Sequence, residues 1–314
     1  MSKVRIGVIG VGYLGRHHVR IYHSLPDVDL VGIADISEKD ARPIASKYKT
    51  KYFKDYHNLL PLVDAVSIVV PTSLHYKVAI DCIDAGVHTM IEKPMVPTRE
   101  EAKQLLEYFR DKGLLVQVGH VERYNTAIQE ISSMIDRPVF IEVHRLAPFV
   151  NRALDVGVVL DLMIHDIDIV LSFVKSRVRK IDAIGSSILT SHEDIANVRM
   201  LFENGCVVNM TASRISAHVM RKIRVFQPTA YISVDYAKQK FVVYEKRDGI
   251  EVPRGLSDIK CRRPRASRKE PLYLELEDFV RSVCENTKPL VSGEEAFLAL
   301  EIAHRILAAM KTPS

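Results

Sequence analysis

The sequence predicts an α/β chain in two parts. A doubly wound parallel sheet occupies residues 1–120, and an α+β domain on an open, mostly antiparallel sheet occupies residues 121–314. Three observations carry this. Short β-branched runs alternate with helical stretches through the first 120 residues, a pattern that requires a parallel sheet covered by helices on both faces. A glycine-rich turn directly follows the first of those runs. After Gly119 the alternation stops, and strand-like runs dominate residues 180–244.

Taken in order, strands are expected at 4–9, 30–34, 65–70, 89–91 and 114–118, where β-branched and apolar residues cluster. Ser37 is a cap for a helix running to Tyr48, and Thr98 with Glu101 forms a capping box for a helix that Gly113 ends. In the second part, helices are expected at 124–135 and 158–174, then the strand-rich stretch with a hairpin signal at Glu203-Asn204-Gly205. Helices at 272–285 and 293–310 finish the chain.

Composition mostly excludes. The 314 residues carry 44 Lys plus Arg against 39 Asp plus Glu, a net charge of +5. Residues 247–271 hold eight basic and four acidic side chains, so the remainder carries 36 and 35 and is nearly neutral. Bulk attraction to a polyanion is therefore not expected, and neither nucleic acid nor membrane is an expected partner. Residues 1–10 run straight into a strand pattern with no signal region. The apolar stretch 156–174 is interrupted by Asp161, His165, Asp166 and Asp168, which makes it a poor membrane span. Cys82, Cys206, Cys261 and Cys284 lack paired spacing and fit reduced thiols in the cytoplasm, with no metal site.

The turn Gly10-Val11-Gly12-Tyr13-Leu14-Gly15 stands between a strand and a helix. Gly10 permits the tight turn, Gly12 lets backbone amides approach a pyrophosphate, and Gly15 lets helix and strand pack closely, as in a Rossmann dinucleotide site. Asp35 lies twenty residues beyond Gly15. A carboxylate there accepts hydrogen bonds from the adenosine ribose hydroxyls and repels a 2'-phosphate, favouring NAD over NADP. Lys39 and Arg42 stand close enough to leave some NADP use open.

A second constellation gathers at strand ends, where open α/β sheets bind ligands. Glu92-Lys93-Pro94 follows the strand at 89–91, and Pro71-Thr72-Ser73-Leu74-His75 follows that at 65–70. On the helix expected at 158–174, Asp161, His165 and Asp168 fall within about 60° of one another, a narrow polar stripe on an apolar cylinder. Imidazole and carboxylate one turn apart supply a proton acceptor and a group that orients it or a substrate hydroxyl.

Together, in this order, Gly10-x-Gly12-x-x-Gly15, Glu92-Lys93-Pro94 and Asp161-x-x-x-His165 resemble the glucose-fructose oxidoreductase, inositol dehydrogenase and rhizopine-catabolism (Gfo/Idh/MocA) family of NAD(P)-dependent dehydrogenases. The resemblance implies that Lys93, Asp161 and His165 form a catalytic trio, that the Lys-Pro motif sits beside the nicotinamide, and that the second domain's sheet joins subunits in a homo-oligomer, a dimer or tetramer. It also implies cofactor contacts from Gly10, Gly12, Tyr13, Leu14, Gly15, Asp35, Pro71, Thr72, His75, Glu92 and Lys93. Within the family, residues 119–125, 144–149 and 155–166 look like the branch acting on UDP-N-acetylglucosamine at C3. That branch supplies a 3-keto sugar nucleotide for amination, for example toward lipid A. The proline usual after Asn125 is Thr126 here.

His165 is the expected general base, because imidazole is substantially neutral at cytoplasmic pH. Lys93 then stabilises the reacting oxygen and Asp161 binds a neighbouring hydroxyl; the alternative makes Lys93 the base. Arg123, Arg145 and Arg152 are candidates for the substrate's diphosphate, and Tyr124 and Asn125 for the sugar or uracil. Other readings are an inositol, free sugar or bile pigment as substrate, or an NAD-sensing regulator without chemistry. Residues 260–269, with six basic side chains and no acid, are expected to form a loop, either solvated or reaching toward an anionic substrate.

Overall fold

The computed structural model describes residues 3–150, 156–247, 250, 254–264 and 269–311. The chain opens with β1 (Val4–Ile9), α1 (Gly15–Ser24), β2 (Val28–Ala34), α2 (Glu38–Lys47), β3 (Lys51–Phe53), β4 (Ala65–Ile68), α3 (His75–Asp84), β5 (His88–Ile91), α4 (Arg99–Asp111) and β6 (Val116–Val118). It continues with α5 (Thr126–Ser132), β7 (Phe140–Leu146), α6 (Ile164–Val174), β8 (Val178–Ser186), β9 (Ile195–Phe202), β10 (Val207–Ser213), β11 (Met220–Gln227), β12 (Ala230–Asp235), β13 (Lys240–Lys246) and β14 (Ile259–Arg262). The last elements are α7 (Pro271–Glu285) and α8 (Gly293–Lys311).

Two compact units result. The first comprises Met1–Val121 with Glu270–Leu298, the second Glu122–Lys269 with Ala299–Ser314. A simple cut near residue 120 therefore misses a return of the chain. The reason is apolar matching: Leu276, Phe279 and Val280 of α7 are buried in one cluster with Val4, Ile6, Val19 and Tyr22 of β1 and α1.

The first unit holds a six-stranded sheet in the order β3-β2-β1-β4-β5-β6, parallel throughout. This is the Rossmann arrangement with its switch of direction between β1 and β4. Central strands read as continuous apolar runs, and β4 (AVSI) is buried at every position, as a sheet covered on both faces demands. Thr98 caps α4 in a full capping box with Glu101, as the sequence leads one to expect.

The second unit holds an eight-stranded sheet in the order β14-β13-β12-β11-β7-β10-β9-β8. Its strands pair antiparallel except for β7 with β10. Burial alternates along β7 and β9, so one face is packed and the other is not. A row of rings lies on the unpacked face, with Phe140, Phe226, Tyr231 and Tyr244 following one another at 5.6, 4.8 and 5.6 Å.

Three local expectations change. Strands β3 and β7 have no counterpart among the expected elements. Part of the basic stretch is an edge strand, β14, where Arg262 pairs with Glu245 through two bonds of 3.0 and 2.6 Å; Arg265 and Arg268 lie outside the described residues. The helix expected at 158–174 is a π-helical turn, Val159–Met163, followed by α6. Among the described residues, no helix is long and apolar enough to cross a membrane, and no acidic, histidine or cysteine group could hold a metal ion.

Candidate active site

The glycine turn is built as its spacing demands. Gly10 has φ +89°, and a Cβ there would stand 2.6 Å from the carbonyl oxygen of Val69. A Cβ on Gly15 would run into the carbonyl oxygen of Gly10. Gly12 differs: no atom lies within 4 Å of its Cβ direction. Two glycines are thus required by the chain itself, while the third borders open space where a ligand's phosphates can meet the backbone. Helix α1 starts beside it without a side-chain cap, which leaves its positive end for an anion.

Asp35 directly follows β2 and holds this turn. Its carboxylate accepts from the amide of Val11 at 2.8 Å and from that of Ser37 at 2.8 Å. Lone pairs remain on both oxygens for ribose hydroxyls. Arg42 is drawn to Glu38 and lies over the Tyr52 ring at 5.6 Å. Tyr13 is 65% exposed, and Ile36, next to Asp35, is 87% exposed. An apolar side chain so bare beside Asp35 suits the face of an adenine ring. Sequence reading passed over Ile36, although an isoleucine outside any apolar period was a signal. Turn, helix end, carboxylate and apolar platform fit NAD.

At the neighbouring strand ends, Thr72–Leu74 forms a single 3-10 turn after Pro71, leading into α3. His75 is buried, with its ring nitrogens 2.9 Å from the Val70 carbonyl and 3.0 Å from that of Pro94. Burial holds this imidazole below its ordinary pKa, and a neutral ring donates through one nitrogen only. His75 thus fastens its own turn to the Lys93-Pro94 turn, whose peptide is cis. Expected as a cofactor contact, it faces these carbonyls instead.

Glu92 is likewise turned inward rather than toward a ligand. Its Oε1 lies 3.1 Å from Nε2 of fully buried His18, and its Oε2 accepts the amide of Lys93 at 3.2 Å. Gly119 closes the other side, since a Cβ there would stand 2.8 Å from Glu92 Oε2. Glu92 therefore holds the backbone of half-buried Lys93 and ties it to α1. His18 was not anticipated; its place one turn before Tyr22 on the buried face of α1 was the available signal.

In the second unit, Asp161 lies in the π-helical turn and His165 in the first turn of α6, both partly exposed. π-Turns recur at functional sites because they re-aim side chains. Arg214 approaches Asp161 at 3.9 Å and donates to the Val156 carbonyl at 2.7 Å. Asp168 differs from the other two in burial: it is 2% exposed and accepts from Arg123 at 3.2 Å. Asp168 and His165 keep the even 100° advance within α6, whereas Asp161 lies in the π-turn, where that advance does not hold.

Several expected substrate contacts have partners within the chain. Arg145 is buried against Asp166 and Glu122, and half-buried Arg123 donates to Asp168. Tyr124 and Asn125 are buried. Asn125 caps α5 by accepting from Ala127 and donates to the carbonyl of Tyr236 at 2.8 Å. Thr126 takes the first helical position of α5, a place proline also favours, so the exchange leaves the turn intact. Arg152 lies outside the described residues.

A Rossmann unit with this cradle, joined to an α+β unit carrying Asp161 and His165, defines an NAD-dependent oxidoreductase. Comparison with known proteins sharpens the class. Residues 4–120 match the model described as "Oxidoreductase family, NAD-binding Rossmann fold", and residues 127–232 match the GFO/IDH/MocA C-terminal domain. The chain belongs to the Gfo/Idh/MocA family. It is 34% identical over 312 residues to the UDP-N-acetylglucosamine 3-dehydrogenase of Acidithiobacillus ferrooxidans, covering 99% of this chain and 98% of that one. A solved structure of that enzyme superposes with a TM-score of 0.92, covering 98% of each chain. The myo-inositol 2-dehydrogenase of Thermotoga maritima is 27% identical over 322 residues, covering 96% of this chain and 94% of that one.

Proposed function

We propose that this chain oxidises the C3 hydroxyl of UDP-N-acetylglucosamine to a 3-keto sugar nucleotide, a substrate for later amination in amino-sugar or lipid A precursor synthesis. The observation that carries this reading is similarity along the whole chain to a dehydrogenase of that name, at higher identity than to the inositol enzyme. Retention of Lys93, Asp161 and His165 supports chemistry over mere sensing, since a sensor needs no proton acceptor.

NAD, when bound, accepts the hydride. The chain's own residues handle the rest. His165 takes the hydroxyl proton, Lys93 donates a hydrogen bond to the reacting oxygen and stabilises its developing negative charge, and Asp161 binds a neighbouring hydroxyl. Gly12, the α1 N-terminus and Asp35 hold the dinucleotide. Arg152 is assigned to the substrate diphosphate. We place the enzyme in the cytoplasm as a dimer or tetramer that joins through the unpacked face of the second unit's sheet, because its aromatic row is the kind of surface a second copy covers.

NADH absorbance in a mixture of protein, NAD and UDP-N-acetylglucosamine, pulled by an added aminotransferase, tests the reading. Turnover is expected. Silence with that substrate beside turnover of myo-inositol rejects it. In single-turnover experiments His165→Ala and Lys93→Met are each expected to slow hydride transfer by about 100-fold or more; near-normal rates in both exclude these roles.

A further inference from the structure

Residues 119–125 and 144–149, the segments that carry the resemblance to one branch of the family, supply members of a buried charge cluster. Asp166 of α6 accepts from Arg145 of β7 through Nε at 2.9 Å and Nη2 at 3.0 Å, and from the phenol of Tyr236 at 2.7 Å. The remaining Arg145 nitrogen donates to Glu122 at 3.2 Å, and Arg221 of β11 donates to the same Glu122 oxygen at 3.1 Å. The guanidinium of Arg145 also lies 5.2 Å from the centre of the Tyr236 ring. Two residues along α6, Asp168 is held by Arg123. Arg145, Asp166, Asp168 and Tyr236 are each 3% exposed or less.

Such a cluster is a poor way to stabilise a fold. Its ions lose hydration that their mutual attraction barely returns, and apolar residues of similar volume commonly do as well or better. What it does well is fix geometry, because every bond has one direction and a partial set is costly. On α6, Asp166 and Asp168 point about 200° apart around the axis. Anchors on nearly opposite sides resist rotation, since a turn that shortens one set of bonds stretches the other. His165 immediately precedes Asp166. Burial, with the carboxylates of Asp166 and Glu122 nearby, pushes the Tyr236 phenol well above its ordinary pKa, so it stays a donor. Burial works against the Arg145 charge and is the largest single influence, but Asp166, Tyr236 and Glu122 together outweigh it and the guanidinium stays protonated.

We propose that Glu122, Arg145, Asp166 and Tyr236, together with the Arg123–Asp168 pair, are positioning residues that set the rotation of α6 and so aim His165. The inference rests on the proposed role of His165 as proton acceptor. It gives the two sequence segments a purpose that substrate contact does not.

The test uses the full chain in two forms. Tyr236→Phe removes one bond and keeps the ring beneath Arg145; a fourfold variant, Glu122→Gln with Arg145→Met, Asp166→Leu and Tyr236→Phe, replaces the cluster with neutral groups. In the fourfold variant, Tm is expected to stay near the wild-type value while kcat falls about tenfold or more, with NAD affinity unchanged. Tyr236→Phe is expected to lower kcat about threefold, again at unchanged NAD affinity. Wild-type kcat in the folded fourfold variant overturns the proposal; if that variant does not fold, wild-type kcat in Tyr236→Phe overturns it. Wild-type turnover in the same assay checks the function separately. If UDP-N-acetylglucosamine is not turned over, the His165 ring resonance of histidine-labelled protein, assigned with His165→Gln, decides without substrate. Broadening or doubling in the variants supports positioning, and an unchanged signal refutes it.

Discussion

Replacing Gly12 by alanine separates what the glycine turn does for the fold from what it does for the ligand. No atom lies within 4 Å of the added methyl, and Gly12 is not among the positive-φ glycines. The folded chain therefore accepts alanine without strain, and the loss of glycine's freedom in the unfolded chain stabilises by about 0.4–1 kcal/mol. That raises Tm by about 2 °C. Bound NAD meets the opposite effect, because the methyl fills the space through which phosphate reaches the backbone amides. Losing one hydrogen bond to a charged group costs about 1.5–3 kcal/mol, or roughly 10- to 150-fold in Kd. Gly15→Ala is the control with the opposite pattern: its methyl meets the backbone oxygen of Gly10, and overpacking of this kind costs about 1–3 kcal/mol of stability. Differential scanning calorimetry without cofactor and isothermal titration with NAD measure both quantities. A Gly12→Ala protein that binds NAD as tightly as wild type, or that melts as low as Gly15→Ala, refutes the assignment of the open space to the pyrophosphate.

Three further outcomes are expected. Asp35→Asn removes the charge that repels a 2'-phosphate, so the ratio of NADP to NAD affinity should rise by about tenfold; an unchanged ratio in paired titrations contradicts the role of Asp35. His88 accepts the Leu115 amide through Nδ1 at 3.0 Å, and burial lowers its pKa, as it does for His75. Below the ordinary value of about 6.5 the unfolded chain takes up protons that the folded one refuses, so this stability is present above that pH and lost as pH falls. Tm should drop between about pH 7.5 and 5.5, less steeply in His88→Gln; an identical slope in that variant excludes His88. Phe226→Glu with Tyr231→Arg, placed in the aromatic row of the second sheet, should convert the proposed dimer or tetramer to monomer in sedimentation velocity, and a wild-type protein that is monomeric, or a variant of unchanged mass, refutes the proposed interface.

Local chemistry was the part of this molecule that could be read ahead of the structure. β1 runs over the residues expected of it, the three glycines and Asp35 form one cradle, and Thr98 caps α4 with Glu101. What escaped depends on partners distant in sequence. β3 is three residues at a sheet edge, too short to show alternation. β14 is charged because edge strands tolerate and even favour charge, so Lys260 and Arg262 resembled a loop. β7 alternates, but its inward arginine, Arg145, reads as an error until Asp166 is seen beside it. The same blindness sent Arg123, Asn125 and Glu92 to ligands: nothing in a run of letters distinguishes a polar group aimed at substrate from one aimed at a buried partner. The π-turn at Val159–Met163 has no compositional mark at all.

The discontinuous first unit bears on how the chain is made. Its cluster around Val4, Val19 and Tyr22 is completed by Leu276, Phe279 and Val280, which leave the ribosome only after the Glu122–Lys269 part of the second unit has been synthesised. For most of translation the α1 side of the cofactor unit lacks its cover, exposing apolar surface that a finished molecule hides. A stop codon anywhere before α7 strands the nucleotide-binding half in that state, so truncation products should be insoluble rather than merely inactive, and the cell has a reason to discard incomplete copies before they can bind NAD.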